Sequence, residues 1–147
     1  RARNFAEGVD ASLAVIEKRR VGNVDKSEVL NLIGSVEGSP AILVDDEIDT
    51  AGSISQAARV CIENGATEVY ACCTHGILSG PAIERLQASP IREVVVTNTV
   101  PIPADKQIDK LTILSVASLV GETIQRIHTG ASVSLTYRAV DRVTGMR

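Results

Sequence analysis

Residues 41–53 read AILVDDEIDTAGS, an apolar run followed by a cluster of acidic residues and a turn of small residues. Residues 41–44 are apolar at every position, a pattern typical of a central parallel strand that is covered on both faces. The following segment, 53–63, is amphipathic and stops at Asn64-Gly65, which predicts a helix. A buried strand that leads directly into a helix is the building unit of an α/β domain.

The same alternation of strand and helix continues along the chain. Further strands are predicted at 12–17, 29–33, 68–73, 93–97 and 111–116. A second helix is predicted to open at Gly80-Pro81, and a third covers residues 117–129, where Val120, Ile124 and Ile127 form one apolar stripe. The predicted fold class is therefore α/β, with a doubly wound, mostly parallel sheet flanked by helices.

The composition excludes several classes of function. The 147 residues have a net charge of −3, only 2% aromatic residues and no Trp, so both the basic surface and the stacking side chains of a nucleic-acid binder are missing. Since no apolar run approaches the roughly 20 residues that span a bilayer, no membrane association is expected. The three cysteines lack the CxxC spacing of a zinc site and favour a reduced, cytoplasmic compartment.

The acidic cluster and the turn that follows it are suited to bind different chemical groups, which one ligand can carry together. The backbone N–H groups of residues 50–53 can turn towards an anion at a helix N-terminus, and the Thr50 and Ser53 hydroxyls add donors. The Asp45 and Asp46 carboxylates repel a phosphate and instead suit vicinal hydroxyls or a hydrated Mg²⁺. A sugar phosphate carries both kinds of group. The alternative, that these residues only cap a helix and solvate a loop, stays open on physical grounds.

Residues 45–53 resemble the loop that binds phosphoribosyl pyrophosphate (PRPP) in type I phosphoribosyltransferases and PRPP synthetases. Four further segments match the synthetases in their order along the chain: 13–20 (LAVIEKRR), 74–82 (THGILSGPA), 94–99 (VVVTNT) and 132–134 (SVS). The chain thus resembles the C-terminal half of a PRPP synthetase, a phosphoribosyltransferase-like domain over residues 1–137 with a short flexible hairpin near its N-terminus. Residues 138–147 have no clear pattern and are expected to form a mobile tail.

The resemblance implies a ribose-phosphate diphosphokinase, which transfers the diphosphoryl group of ATP to the 1-hydroxyl of ribose 5-phosphate. The products are PRPP and AMP, the cofactor is Mg²⁺, and the pathway is nucleotide biosynthesis. Lys18 matches the catalytic lysine and Arg20 the second basic residue of the hairpin, with Arg20 also implied to contact ribose 5-phosphate. Their two-residue spacing on an extended strand puts both on one face, where a cationic clamp relieves charge on the transferring group.

The resemblance also implies a substrate site and a regulatory site. The 5-phosphate would be held by the loop residues Asp49, Thr50, Ala51, Gly52 and Ser53, and the ribose hydroxyls by Asp45 and Asp46. Because Asp49 is an unusual neighbour for a phosphate, it is interpreted as organising the loop by accepting backbone N–H bonds. Ser53 stands where the family usually has Thr, which keeps the hydroxyl. Ser132 and Ser134 match a segment that contributes to a regulatory phosphate or ADP site between subunits.

The implied nucleotide pocket and metal-binding His and Asp come largely from sequence before Arg1, so no metal ligand is assigned within this chain. We therefore expect a partner for the site: a homo-oligomer in which dimers build a hexamer, or the missing N-terminal half. Two other functions compete, a phosphoribosyltransferase that consumes PRPP through the same loop and a non-catalytic regulatory homologue. The 74–82 segment argues against the first, and the intact Lys18 and Arg20 argue against the second.

Other candidate residues have simpler interpretations. His75 is expected just past a strand end, on the ligand side of the sheet, where holding the turn at Gly76 is at least as good an explanation as binding. Cys72 and Cys73 are most simply core residues.

Overall fold

The computed structural model describes residues 2–20, 28–134 and 136. Within this part of the chain, the strands are β1 (Val15–Arg20), β2 (Glu28–Ile33), β3 (Ala41–Ile48), β4 (Val69–Gly76), β5 (Ile91–Thr97) and β6 (Leu111–Leu114). The helices are α1 (Ala2–Gly8), α2 (Gly52–Glu63), α3 (Ala82–Ala88) and α4 (Ala117–His128), with a short 3-10 helix at Ala104–Lys106.

The main sheet is parallel and has the order β3-β4-β5-β6. Helix α2 connects β3 to β4 and helix α3 connects β4 to β5, so both crossovers advance in the same direction along the sheet. Right-handed crossovers then place both helices on the same face, where they contact each other. The predicted α/β class, with a parallel sheet flanked by helices, is confirmed.

Strand β3 differs from its prediction in position and in length. It was predicted as a central strand over 41–44, but in the described part of the chain it is an edge strand, and Ile42 is half exposed. It also continues to Ile48, because the second half of β4 pairs with it as far as Ile48 and Gly76. The acidic residues 45–47 therefore lie on the strand itself instead of following it.

Strands β1 and β2 form a separate antiparallel hairpin, in which Val15 pairs with Ile33 and Arg20 with Glu28. The prediction of a strand over 12–17 was three residues early at both ends. The predicted hairpin near the N-terminus is present, and its connecting residues 21–27 lie outside the described part of the chain.

The core lies between the main sheet and helices α2 and α3. Its fully buried side chains are small or branched aliphatic groups, as the scarcity of aromatic residues requires: Ala58, Val69, Leu78, Ala82, Leu86, Val94 and Val96. Helix α4 contributes little to this core, since Val120, Ile124 and Ile127 are 48%, 62% and 66% exposed. None of the described helices is both long and apolar enough to cross a bilayer.

Candidate active site

A cavity of about 250 Å³ lies where β3 turns into α2, lined by residues 45–54. Residues from the strand, the turn and the first helical turn all contribute to it, so one continuous segment builds the whole pocket. It opens at the carboxyl end of a parallel strand, the edge of the sheet at which α/β proteins bind ligands.

The acidic residues of β3 alternate in direction. Asp45 and Glu47 are exposed and pair with Cys73 and His75 of β4, whereas Asp46 is partly buried. The Asp46 N–H donates to the Asp45 carboxylate over 2.9 Å, which directs one carboxylate oxygen along the strand. The outcome is a carboxylate pair beside the cavity, a set of acceptors that suits hydroxyl groups.

The turn after β3 is held through three successive carbonyl groups. The Ile48 carbonyl accepts the N–H groups of Ile77 and Leu78, each over 3.0 Å, and the Asp49 carbonyl accepts the Ser79 N–H over 3.0 Å. The Thr50 carbonyl accepts a bond from Arg85 Nη1, also over 3.0 Å. All these donors belong to the connection between β4 and α3 or to α3 itself.

This arrangement decides where the N–H groups of the turn point. In a trans peptide the C=O and the next N–H are antiparallel. Because the carbonyls of Asp49 and Thr50 point towards the β4–α3 connection, the N–H groups of Thr50 and Ala51 point to the opposite side of the loop. Such a pair of outward N–H groups directly before a helix is a suitable anion site.

The start of α2 keeps its own donors available for a ligand. Its N-cap residue, Ala51, has φ 57° and ψ 12°, a left-handed conformation that is strained for a residue with a side chain, and it supplies no side-chain cap. The first N–H groups of a helix have no partner within the helix. Gly52 leaves room for Arg85, since a Cβ there would lie 3.3 Å from Arg85 Nη1, closer than ordinary van der Waals contact.

Asp49 is tied to the β4–α3 connection by its side chain as well. The Ser79 hydroxyl donates to the Asp49 carboxylate. Backbone N–H donors to the Asp49 carboxylate were expected from the sequence, and the described donor is instead a hydroxyl from a neighbouring connection.

A second polar cluster lies at the ends of β4 and β5. His75 is within β4, one residue before its end, and its Nδ1 lies 2.9 Å from the Thr99 hydroxyl oxygen. The Thr97 and Thr99 hydroxyls both donate to the Thr74 carbonyl, over 2.7 and 3.0 Å. The described contact of His75 thus joins β4 to the segment after β5. The predicted strand ended at residue 73, three residues too early, so the prediction that His75 lies past the strand end was wrong.

The cysteines beside the site have no reactive character. Burial raises the pKa of the Cys73 thiol to about 11, and the nearby Asp45 and Asp46 carboxylates also raise it, against a backbone hydrogen bond at Ile48 that lowers it. Because the thiolate is the nucleophilic form, Cys73 stays a neutral core group at physiological pH. The prediction of a core role is confirmed for Cys73, which is buried.

A larger cavity of about 650 Å³ lies beside the hairpin, between α1, β1, β2, β3 and α2. Its walls are mostly apolar, with Phe5, Leu30 and Leu43 among them, and it reaches Asp45 and Ser53 at one end. The smaller cavity at residues 45–54 has the more polar lining and the outward N–H groups of the turn, so it is the better candidate for a site that binds a charged ligand.

The chain matches the sequence pattern of the phosphoribosyl synthetase-associated domain over residues 10–138. This chain belongs to that domain family. It is 59% identical over 134 residues to the ribose-phosphate pyrophosphokinase of Caldanaerobacter subterraneus subsp. tengcongensis, covering 91% of this chain and 42% of the relative. It is 56% identical over 137 residues to the enzyme of the same name from Bacillus cereus, covering 93% and 43%.

A solved structure agrees with these relatives. The phosphoribosylpyrophosphate synthetase from Mycobacterium smegmatis superposes with a TM-score of 0.81 at 40% identity, covering 88% of this chain and 41% of that one. The phosphoribosyl synthetase-associated domain described here thus spans about two fifths of the length of the relatives it matches.

Other residues predicted for this phosphoribosyl synthetase domain lie on other elements, and some of their side chains lie outside the described part of the chain. The backbones of Lys18 and Arg20 lie in β1, opposite Leu30 and Glu28, and their side chains are outside the described part of the chain. Ser132 and Ser134 follow α4, and their hydroxyl oxygens are 2.8 Å apart. The regulatory role of this serine pair stays a prediction.

Two residues were missed in the sequence analysis, although their hydrogen bonds fix the loop of the candidate site. Ser79 is part of the quoted segment 74–82 but was given no role, although its place in the short connection between a strand and Gly80-Pro81 is a usable signal. Arg85 gave no signal, because an exposed arginine on a short helix is ordinary. Its contact with Thr50 appears only in three dimensions.

Proposed function

We propose that this chain supplies the ribose 5-phosphate site and the catalytic hairpin of a ribose-phosphate diphosphokinase, which makes PRPP and AMP from ribose 5-phosphate and ATP. The observation that carries the proposal is the cavity at residues 45–54, with outward N–H groups at one end and a carboxylate pair at the other. Relatives named ribose-phosphate pyrophosphokinase, 56–59% identical over nine tenths of the chain, support it.

In this mechanism the loop binds and orients the acceptor. The N–H groups and hydroxyls of Thr50–Ser53 bind the 5-phosphate, and the carboxylates of Asp45 and Asp46 accept hydrogen bonds from the ribose hydroxyls. Fixing both ends of the sugar holds the 1-hydroxyl in one place, which lowers the entropic part of the barrier to attack.

Lys18 and Arg20 act on the other substrate. Their positive charges stabilise the negative charge that develops as the diphosphoryl group leaves ATP for the 1-hydroxyl. Strand β1, on which both residues lie, ends at residue 20, so the basic pair is next to the hairpin connection.

The residues of this chain fit a supporting role towards Mg²⁺. Among residues 2–20, 28–134 and 136, no three His, Cys, Asp or Glu side chains gather as a metal cage. Mg²⁺ commonly uses one or two carboxylates together with substrate phosphates, and Asp45 and Asp46 could provide those at the substrate. When bound, Mg²⁺ would neutralise charge on the phosphates.

The catalytic assignment is tested in a complete pyrophosphokinase that contains this chain in place of its matching part. Lys18→Ala should lower AMP formation by at least about a hundredfold, because a positive group at the transferring phosphate is lost, while the KM for ribose 5-phosphate changes little. Arg59→Ala, at an exposed position of α2, is the control and should keep full activity. Unchanged activity of Lys18→Ala would refute the assignment.

AMP formation that requires only ribose 5-phosphate, ATP and Mg²⁺ excludes the phosphoribosyltransferase alternative.

The substrate site is tested with Asp45→Asn in this chain. The amide oxygen can still accept the Asp46 N–H, so the substitution removes charge and leaves the local hydrogen bond. Hydrogen bonds to charged groups contribute about 1.5–3 kcal/mol, so ribose 5-phosphate should bind at least about tenfold more weakly by calorimetry. Equal affinity of the two proteins would count against the sugar-binding role of Asp45.

A further inference from the structure

We propose that Ser79 and Arg85 are positioning residues for the sugar-phosphate loop, which hold the peptide groups of Asp49 and Thr50 in the orientation that phosphate binding needs. This inference rests on the proposed function, and it assigns a role to two residues that do not line the cavity.

Ser79 donates two hydrogen bonds to Asp49. Its N–H donates to the Asp49 carbonyl over 3.0 Å, and its hydroxyl donates to the Asp49 carboxylate. The first bond turns the Thr50 N–H outwards, because the two groups of one peptide are antiparallel. The second bond keeps a negative side chain engaged, so that it does not swing towards an incoming phosphate.

Ser79 can act as an anchor because its own backbone is fixed. The preceding residue, Leu78, is fully buried and has φ 52°. Lys106 Nζ donates to the Leu78 carbonyl over 2.8 Å, which ties the anchor to the β5–β6 connection. The loop is therefore braced against two neighbouring strand connections.

Arg85 forms a hydrogen bond with the carbonyl of Thr50, the residue after Asp49. Its Nη1 donates to the Thr50 carbonyl over 3.0 Å, which turns the Ala51 N–H outwards. Helix α3 holds Arg85 in place, because the fully buried Ala82 and Leu86 flank it and fix the helix against the core. Any side chain at Gly52 would crowd this guanidinium.

The inference is tested by titrating ribose 5-phosphate into this chain. Ser79→Ala removes the hydroxyl bond that keeps the Asp49 carboxylate away from the phosphate, and the side chain of Arg85→Gln is two bonds shorter than arginine, so its amide no longer reaches the Thr50 carbonyl. Each substitution should therefore weaken binding about tenfold. Ser79→Thr and Arg85→Lys retain a donor and should recover most of the affinity. Thr67→Ala and Arg59→Gln, at exposed positions on other surfaces, are the matched controls and should bind normally. Normal binding by Ser79→Ala and Arg85→Gln would overturn the inference while leaving the proposed function intact.

Two further readouts separate positioning from general stability. In the assembled enzyme, both substitutions should raise the KM for ribose 5-phosphate and leave the KM for ATP unchanged, whereas a general loss of folded protein would lower kcat alone. Backbone NMR shifts of Thr50 and Ala51 need no ligand. The shifts of Thr50 and Ala51 should change in both variants, while the shifts of β4 residues stay the same. Unchanged shifts would overturn the inference. This result does not depend on whether the chain binds ribose 5-phosphate, so it also tests the inference if the proposed function is wrong.

Discussion

Helices α2 and α4 are each 12 residues long and each has one apolar stripe, yet only α2 is part of the core. The stripe of α2 includes Ile54, Ala58 and Cys61, all buried, whereas the stripe of α4 is largely exposed. Helix α2 crosses between two paired strands and packs on both, while α4 follows β6, the last strand of the described sheet. Periodicity thus identifies the apolar face of a helix, but the sheet decides whether that face is covered.

The strongest test of this contrast is the same substitution in each stripe. Ile54 is 8% exposed and Ile124 is 62% exposed. Ile54→Ala should lower the free energy of unfolding by about 3 kcal/mol, since it leaves a cavity in the core. Ile124→Ala should change it by no more than about 0.5 kcal/mol. Urea unfolding followed by circular dichroism measures both. Similar losses in the two variants would mean that the α4 stripe is covered in solution.

The helix starts differ as well. Ala51, at the start of α2, is left-handed and buried, whereas Val116, at the start of α4, has φ −93°. A β-branched residue tolerates positive φ poorly, so Ala51→Val should cost about 2 kcal/mol in the free energy of unfolding. Val116→Ala should cost no more than about 1 kcal/mol. A stable Ala51→Val variant in the same urea assay would show that the turn does not need its left-handed residue.

The helix ends give the smallest expected difference. Gly65 follows α2 with φ 88°, and Gly130 follows α4 with φ 69°. A Cβ at Gly65 would lie 3.1 Å from Glu37 Cγ, while a Cβ at Gly130 would meet nothing within 4 Å. Gly130→Ala should therefore cost about 1 kcal/mol for the conformation alone, and Gly65→Ala about 2 kcal/mol. Equal melting temperatures for the two variants would remove crowding from the explanation.

The order and type of the elements could be predicted because each apolar run is short and each helix has clear end signals. The start of α2 was predicted within one residue, and the end of α2 and the start of α4 were predicted correctly. The prediction was wrong for β3, which extends through three acidic residues. Acidic residues have a low strand propensity, so the pattern predicted the strand to end before them, but hydrogen bonding to β4 continues to Ile48.

The sequence indicated which residues form the candidate site, but not which contacts hold them in place. The loop 45–53 could be recognised because its residues are contiguous, and they line one cavity. Ser79 and Arg85 lie about 30 residues further along the chain, joined to the loop only by tertiary hydrogen bonds with sequence separations of 30 and 35. No local pattern encodes such contacts. The hairpin residues Lys18 and Arg20 were assigned by resemblance alone.

The order β3-β4-β5-β6 has a consequence for how the domain forms. After β3, each strand of this sheet pairs with the strand that precedes it, so none of its four described strands has to insert between two others. Short sequence separations between partners reduce the entropic cost of loop closure and favour rapid folding. We therefore expect the sheet to grow one strand at a time, in the direction of synthesis, with the β4–α3 connection completing the loop at residues 45–53 before β6 is made.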